Sequence, residues 1–146
     1  MPLPHAVRPL VAACLLLLAL VAARAQSPLG PDDRAAIRAV IEQQLAAFRA
    51  DDGAAAFGLA APAIRRQFET ADNFMRMVRQ GYQPVYRPRE VAFGELVATE
   101  EGIVQRVDLV GPDGQPVTAL YIMEKQPDGR WLINGCILTA SQQKAA

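Results

Sequence analysis

Arg130-Trp131-Leu132-Ile133-Asn134-Gly135-Cys136-Ile137-Leu138 is the stretch whose reading decides the fold of this chain. It holds the only Trp of the 146 residues and one of the two Cys. Apart from Arg130, Asn134 and Gly135 it is apolar. Trp131, Ile133 and Ile137 alternate with Leu132, Cys136 and Leu138, so both faces of a strand here are apolar. Central strands of a sheet covered on both sides read this way.

Working outward, Pro127-Asp128-Gly129 is a hairpin signal that joins this strand to Val117–Lys125, where Val117, Ala119, Tyr121 and Met123 alternate with Leu120 and Ile122. Gly111-Pro112-Asp113-Gly114 is a second turn, behind Ile103–Val110. That strand sets Ile103, Val107 and Leu109 on one face and Arg106 and Asp108 on the other. Glu100-Glu101-Gly102 is a third turn, and Glu90–Thr99 is a first strand with Val91, Phe93 and Val97 on one face. Four consecutive strands joined by short turns make an antiparallel meander.

Before Arg89 the period is helical. Pro31 suits a first helical position, and Asp32 and Asp33 complement the positive end of the macrodipole. Ile37, Val40, Ile41, Leu45 and Phe48 form one apolar stripe, and the helix ends around residues 50–52 with Gly53 as its break. Asp52 caps a short helix through Phe57, Pro62 opens another to Phe68, and Thr70 caps a third that carries Phe74, Met77 and Val78 and stops at Gly81. Met75 and Met77 read as core packing rather than as a soft-metal surface. Tyr82-Gln83-Pro84-Val85-Tyr86-Arg87-Pro88 carries two prolines within five residues, which predicts an extended crossing loop.

Helices followed by strands make an α+β arrangement: N-terminal helices packed on a curved four-stranded antiparallel meander sheet, cone-like, as a single domain over residues 31–140. This order resembles the nuclear transport factor two-like fold. Three runs carry a more specific resemblance: residues 37–48, Tyr82-Gln83-Pro84-Val85-Tyr86, and Trp131-Leu132-Ile133-Asn134-Gly135-Cys136. Together they are similar to the bacterial family called domain of unknown function 4864. The resemblance implies a cone with a cavity and an exported protein. It brings no activity or catalytic residue to carry over.

Residues 1–25 read as a secretory signal peptide: His5 and Arg8 in a weakly basic start, an apolar run from Leu10 to Ala22, and Ala23-Arg24-Ala25 as a small-x-small cleavage site. The run has 13 residues, too few for a bilayer that needs ~20. Val11-Ala12-Ala13-Cys14 resembles a lipoprotein box, but the apolar run continues after the Cys instead of ending before it. Cleavage predicts an exported, periplasmic protein without a membrane span, with residues 26–30 as a short tether and residues 141–146 as a polar tail.

Removing 25 of the 146 residues leaves 121. The 15 basic residues lose Arg8 and Arg24, so 13 face 15 acidic ones and the net charge is −2. No basic field recruits nucleic acid or an anionic membrane. His5, the only His, leaves with the leader. That excludes His-based triads, Cys–His dyads and most zinc or copper sites, and no phosphate loop or metal-ligand cluster calls for a cofactor. With one mature Cys, no intramolecular disulfide exists. Cys136 reads as a buried thiol, with an intermolecular disulfide as the alternative.

Four residues are candidates for a ligand pocket: Tyr82 and Tyr86 from the proline loop, and Trp131 and Asn134 from the decisive strand. Each has an ordinary structural role as well: lids on the core for the Tyr pair, core packing for Trp131, a local loop bond for Asn134. The expected occupant is a small apolar ligand or an envelope protein, and the apolar later strands suit a homodimer through the sheet. The alternative is a small cone-fold isomerase, lyase or hydrolase. It would use an inward carboxylate or Tyr, with Asp108 as base if its face points inward and Glu90, Glu95 and Glu124 no better supported.

Overall fold

In the computed structural model, which describes residues 29–141, five helices precede one four-stranded sheet. The signal peptide expected over residues 1–25 lies outside the described residues, as does the polar tail beyond Ser141. None of the described helices is long and apolar enough to cross a membrane.

Helix α1, Pro31–Arg49, begins with Pro31 in its first turn and buries Ile37, Ile41, Gln44, Leu45, Ala47 and Phe48. Its stop is Asp51, not Gly53. Asp51 takes the left-handed conformation (φ 52°) and its N–H donates to Phe48 O at 3.1 Å, a role that Asp tolerates better than most side chains. Gly53 serves packing instead: a Cβ there would stand 2.9 Å from Met75 Cγ. Helix α2, Gly53–Gly58, is capped by Asp52, whose Oδ1 accepts from Ala55 N–H at 3.1 Å. Helix α3, Pro62–Phe68, again starts on a proline. Helix α4, Ala71–Gly81, is capped by Thr70 Oγ1, which accepts from Asn73 N–H at 3.1 Å.

The stretch predicted as an extended loop instead contains a single helical turn, α5, Gln83–Tyr86. Pro84 falls in its first turn, where no N–H is needed, and Pro88 lies beyond its end. Two nearby prolines therefore bracket a helical turn without interrupting it.

Strands β1 (Glu90–Thr99), β2 (Gly102–Val110), β3 (Pro116–Lys125) and β4 (Trp131–Ala140) pair in chain order, all antiparallel, as an open meander. Gly114 (φ 80°) and Gly129 (φ 89°) supply the left-handed positions of the last two turns. Two bulges change which residues face the helices. Between Phe93 and Leu96 the β1–β2 register shifts, so Leu96 joins Val91 and Phe93 inward and Val97 turns out, 47% exposed. In β4 the shift falls at Asn134, between the pairs Ile133–Met123 and Gly135–Ile122. Trp131 and Ile133 face the helices before it and Cys136 and Leu138 after it. Ile137 is turned outward, 51% exposed, instead of following Trp131 and Ile133.

The core lies between the inner sheet face and the helices, with Phe74 of α4 at its centre. The Phe74 ring centroid is 6.2 Å from Phe48, 5.4 Å from Phe57 and 5.7 Å from Phe68. The α2–α3 link joins the edge of the sheet. Ile133 N–H donates to Leu59 O at 2.9 Å, and Ala61 N–H donates to Ile133 O at 2.8 Å, so β4 is bonded on both sides at that point.

Candidate functional site

One cross-strand row carries the polar groups of the inner face. Leu96, Gln105, Tyr121 and Cys136 are register partners from β1 to β4, and opposed residues share a face. Gln105 is buried because the β1 bulge needs it. Its Nε2 donates to Gly94 O at 3.0 Å, Glu95 O at 3.3 Å and Arg106 O at 2.8 Å, satisfying carbonyls at the bulge. Tyr121 is 1% exposed, and its hydroxyl makes no hydrogen bond apart from a weak interaction with the Cys136 thiol.

Above Tyr121 and Cys136 the helices stand off from the sheet and leave a chamber of about 460 Å³. Gln44 and Phe48 of α1, Ile64 and Phe68 of α3, and Met77 and Val78 of α4 form the opposite wall, and Tyr82 and Val85 close one end. Gln44 is anchored by its amide, which donates to Ala56 O at 3.2 Å. Every described residue lining the chamber is uncharged. Burial pushes the Cys136 thiol up to about 12, slightly countered by Tyr121, and burial likewise drives Tyr121 well above its ordinary value. Both groups are therefore neutral across the physiological range.

The four candidate residues are not brought together. Tyr82 lines the chamber, and its hydroxyl donates to Cys136 O at 3.2 Å, tying α4's end to β4. Tyr86 belongs to a separate clamp: its hydroxyl donates to Asp51, with Arg87 stacked 3.9 Å from its ring centroid and Arg87 Nη2 2.9 Å from Asp51 Oδ2. These contacts, the Tyr86 hydroxyl first, hold the Asp51 carboxyl below its usual value. Trp131 is core, and its indole N–H donates to Asp33 Oδ1 at 3.1 Å. That bond is the main cause of a lowered Asp33. Asn134 is the β4 bulge residue and lies on a different groove, beside Glu100, Glu101 and Trp131.

Asp108 sits on the outer sheet face, where its Oδ1 accepts from Thr118 Oγ1 at 2.8 Å and Arg106 Nε at 3.2 Å. It does not reach the chamber. Among the described residues, no group of three or more His, Cys, Asp or Glu could hold a metal ion. Sequence reasoning passed over Gln44 and gave Tyr121 no role. The signal for Gln44 was available, since an amide three residues after Ile41 and four before Phe48 interrupts the apolar stripe.

Fold and chamber define a small α+β domain that holds an uncharged, mostly apolar cavity between helices and sheet. The chain belongs to the family described as Domain of unknown function (DUF4864), which it matches over residues 31–146. No curated protein matches it.

Proposed function

We propose that this protein is a non-catalytic, exported binding module of the cell envelope that holds a small apolar ligand in the chamber. The observation that carries the reading is the chamber itself. Its volume of about 460 Å³ falls in the range of roughly 300–1,000 Å³ typical of small-molecule pockets, and its lining has their mixture of aromatic and aliphatic walls with a few polar groups. Acid–base catalysis at neutral pH finds little support. The lining offers no carboxylate, and burial keeps its thiol and the Tyr121 phenol protonated at neutral pH. Export rests on the leader pattern of residues 1–25.

A second copy is the proposed partner on the outer sheet face. Val97, Val104 and Ile122 form one cross-strand row there, and Leu120 and Ile137 pair in the next. Ile137 and Val97 are the large apolar side chains most open to solvent.

The test is titration with N-phenyl-1-naphthylamine, a neutral fluorophore that brightens in apolar sites. Saturable binding with one site per chain is expected. Ile64→Trp, which places an indole at the chamber wall, should abolish it without unfolding the protein. Non-saturable binding, or saturable binding untouched by Ile64→Trp, would remove the chamber from the account.

A further inference from the structure

Tyr121 is the one described residue with a fully buried polar side-chain atom that lacks a hydrogen-bond partner. A buried hydroxyl in that condition is costly, and native structures rarely tolerate one without a purpose. It is flanked in its row by Gln105, whose amide nitrogen is engaged with three carbonyls, and by Cys136, whose thiol is a weak acceptor. Tyr82 spends its own hydroxyl on Cys136 O, and Gln44 spends its amide N–H on Ala56 O. Among the buried donors around the chamber the Tyr121 O–H is thus the exception; the Gln67 amide also lines the chamber, but from a solvent-exposed side chain.

Resting on the chamber reading, we propose that the ligand is an uncharged molecule with an apolar body and a single hydrogen-bond-accepting oxygen, a ketone, ester or ether in chemical class, which the Tyr121 hydroxyl engages. A neutral phenol is a donor, so its missing partner is an acceptor. The ligand is neutral because the lining supplies neither a cation to meet a carboxylate nor an anion to meet an amine. A buried charge without a partner is disfavoured far more than a buried carbonyl. A charged group inside the chamber is thereby disfavoured, and hydrocarbons fit but leave the hydroxyl unsatisfied.

The experiment displaces N-phenyl-1-naphthylamine from the full chain with benzophenone, diphenylmethane and diphenylacetate, three diphenyl probes that differ at the central carbon. Each is measured on the native protein and on Tyr121→Phe, which removes only the hydroxyl. Benzophenone should lose about tenfold in affinity in Tyr121→Phe, the worth of one hydrogen bond to a group that is already desolvated. Diphenylmethane should bind both proteins alike, and diphenylacetate should bind the native protein more weakly than benzophenone. Equal benzophenone affinity in both proteins, or tightest binding by diphenylacetate, overturns the ligand class and leaves the chamber standing. Failure of N-phenyl-1-naphthylamine itself to bind overturns the chamber reading and this inference with it.

Discussion

Tyr121→Phe should stabilise the unliganded protein, although it deletes a polar group from the centre of the sheet. The ring stays, and with it the buried area: Tyr121 is among the largest fully buried side chains. What leaves is a hydroxyl with no hydrogen-bond partner. Keeping such a group dry costs ~1–3 kcal/mol relative to the unfolded chain, where water satisfies it. The thiol of Cys136 returns only a fraction of this, being a weak acceptor. The net gain should be about 1–2 kcal/mol. For a domain of this size that corresponds to a rise of roughly 3–10 °C in thermal midpoint. Urea unfolding followed by Trp131 fluorescence, with thermal melts alongside, measures it, and the urea slope should not change because the same surface is exposed. A loss of about 1 kcal/mol or more at constant slope would refute the reasoning. It would mean that the hydroxyl already has a good partner within the protein and needs none from a ligand. A gain coupled to weaker ketone binding is the pattern of a residue kept for binding at the expense of stability.

Three other perturbations follow from the same geometry. Burial raises the Cys136 thiol from its ordinary value of 9.0 to about 12. Below pH 9 the folded and unfolded forms are both protonated and stability is unaffected; above it the unfolded chain alone releases the proton. Stability should then fall by up to ~1.4 kcal/mol per pH unit until the folded thiol also ionises. Cys136→Ala should flatten that alkaline slope in urea titrations between pH 8 and 10, below the range in which buried Tyr121 adds its own, and an unchanged slope would count against a buried thiol. Asp51→Ala removes the acceptor of the Tyr86 and Arg87 bonds and leaves a left-handed backbone without a residue suited to it, so the thermal midpoint should fall. Because those bonds lower the Asp51 carboxyl, its stabilisation is present above the ordinary carboxylate range and lost on acidification, so the deficit of the variant should shrink at low pH. Ile137→Arg should convert a dimer to a monomer in sedimentation experiments while the chain stays folded, since Ile137 is half-exposed on the outer face; a dimer that survives would place the interface elsewhere.

Most of the architecture was legible because its signals are local. The period-2 strands, the turns at Gly102, Gly114 and Gly129, the Thr70 and Asp52 caps and the prolines opening α1 and α3 all follow from neighbours in sequence. What sequence did not reveal depends on partners elsewhere in the chain. A bulge is set by the opposing strand, so the inward turn of Leu96 and the outward turn of Ile137 could not be read from alternation within β1 or β4. The candidate site was less legible for the same reason. Asn134 looked like a polar exception on a buried strand, and it is the extra residue of a bulge. Trp131 meets Asp33 from 98 residues away, and Tyr86 meets Asp51 from 35 away, contacts that give both side chains structural roles. Tyr121 was invisible because a missing hydrogen bond is a property of packing and leaves no mark on the sequence.

The most direct test is a crystal structure of the protein saturated with benzophenone. The ketone should occupy the chamber between α3, α4 and the inner face of β3 and β4, with its oxygen at hydrogen-bonding distance from Tyr121 Oη. An empty chamber, or a ketone seated on the outer face beside Ile137, would contradict the account.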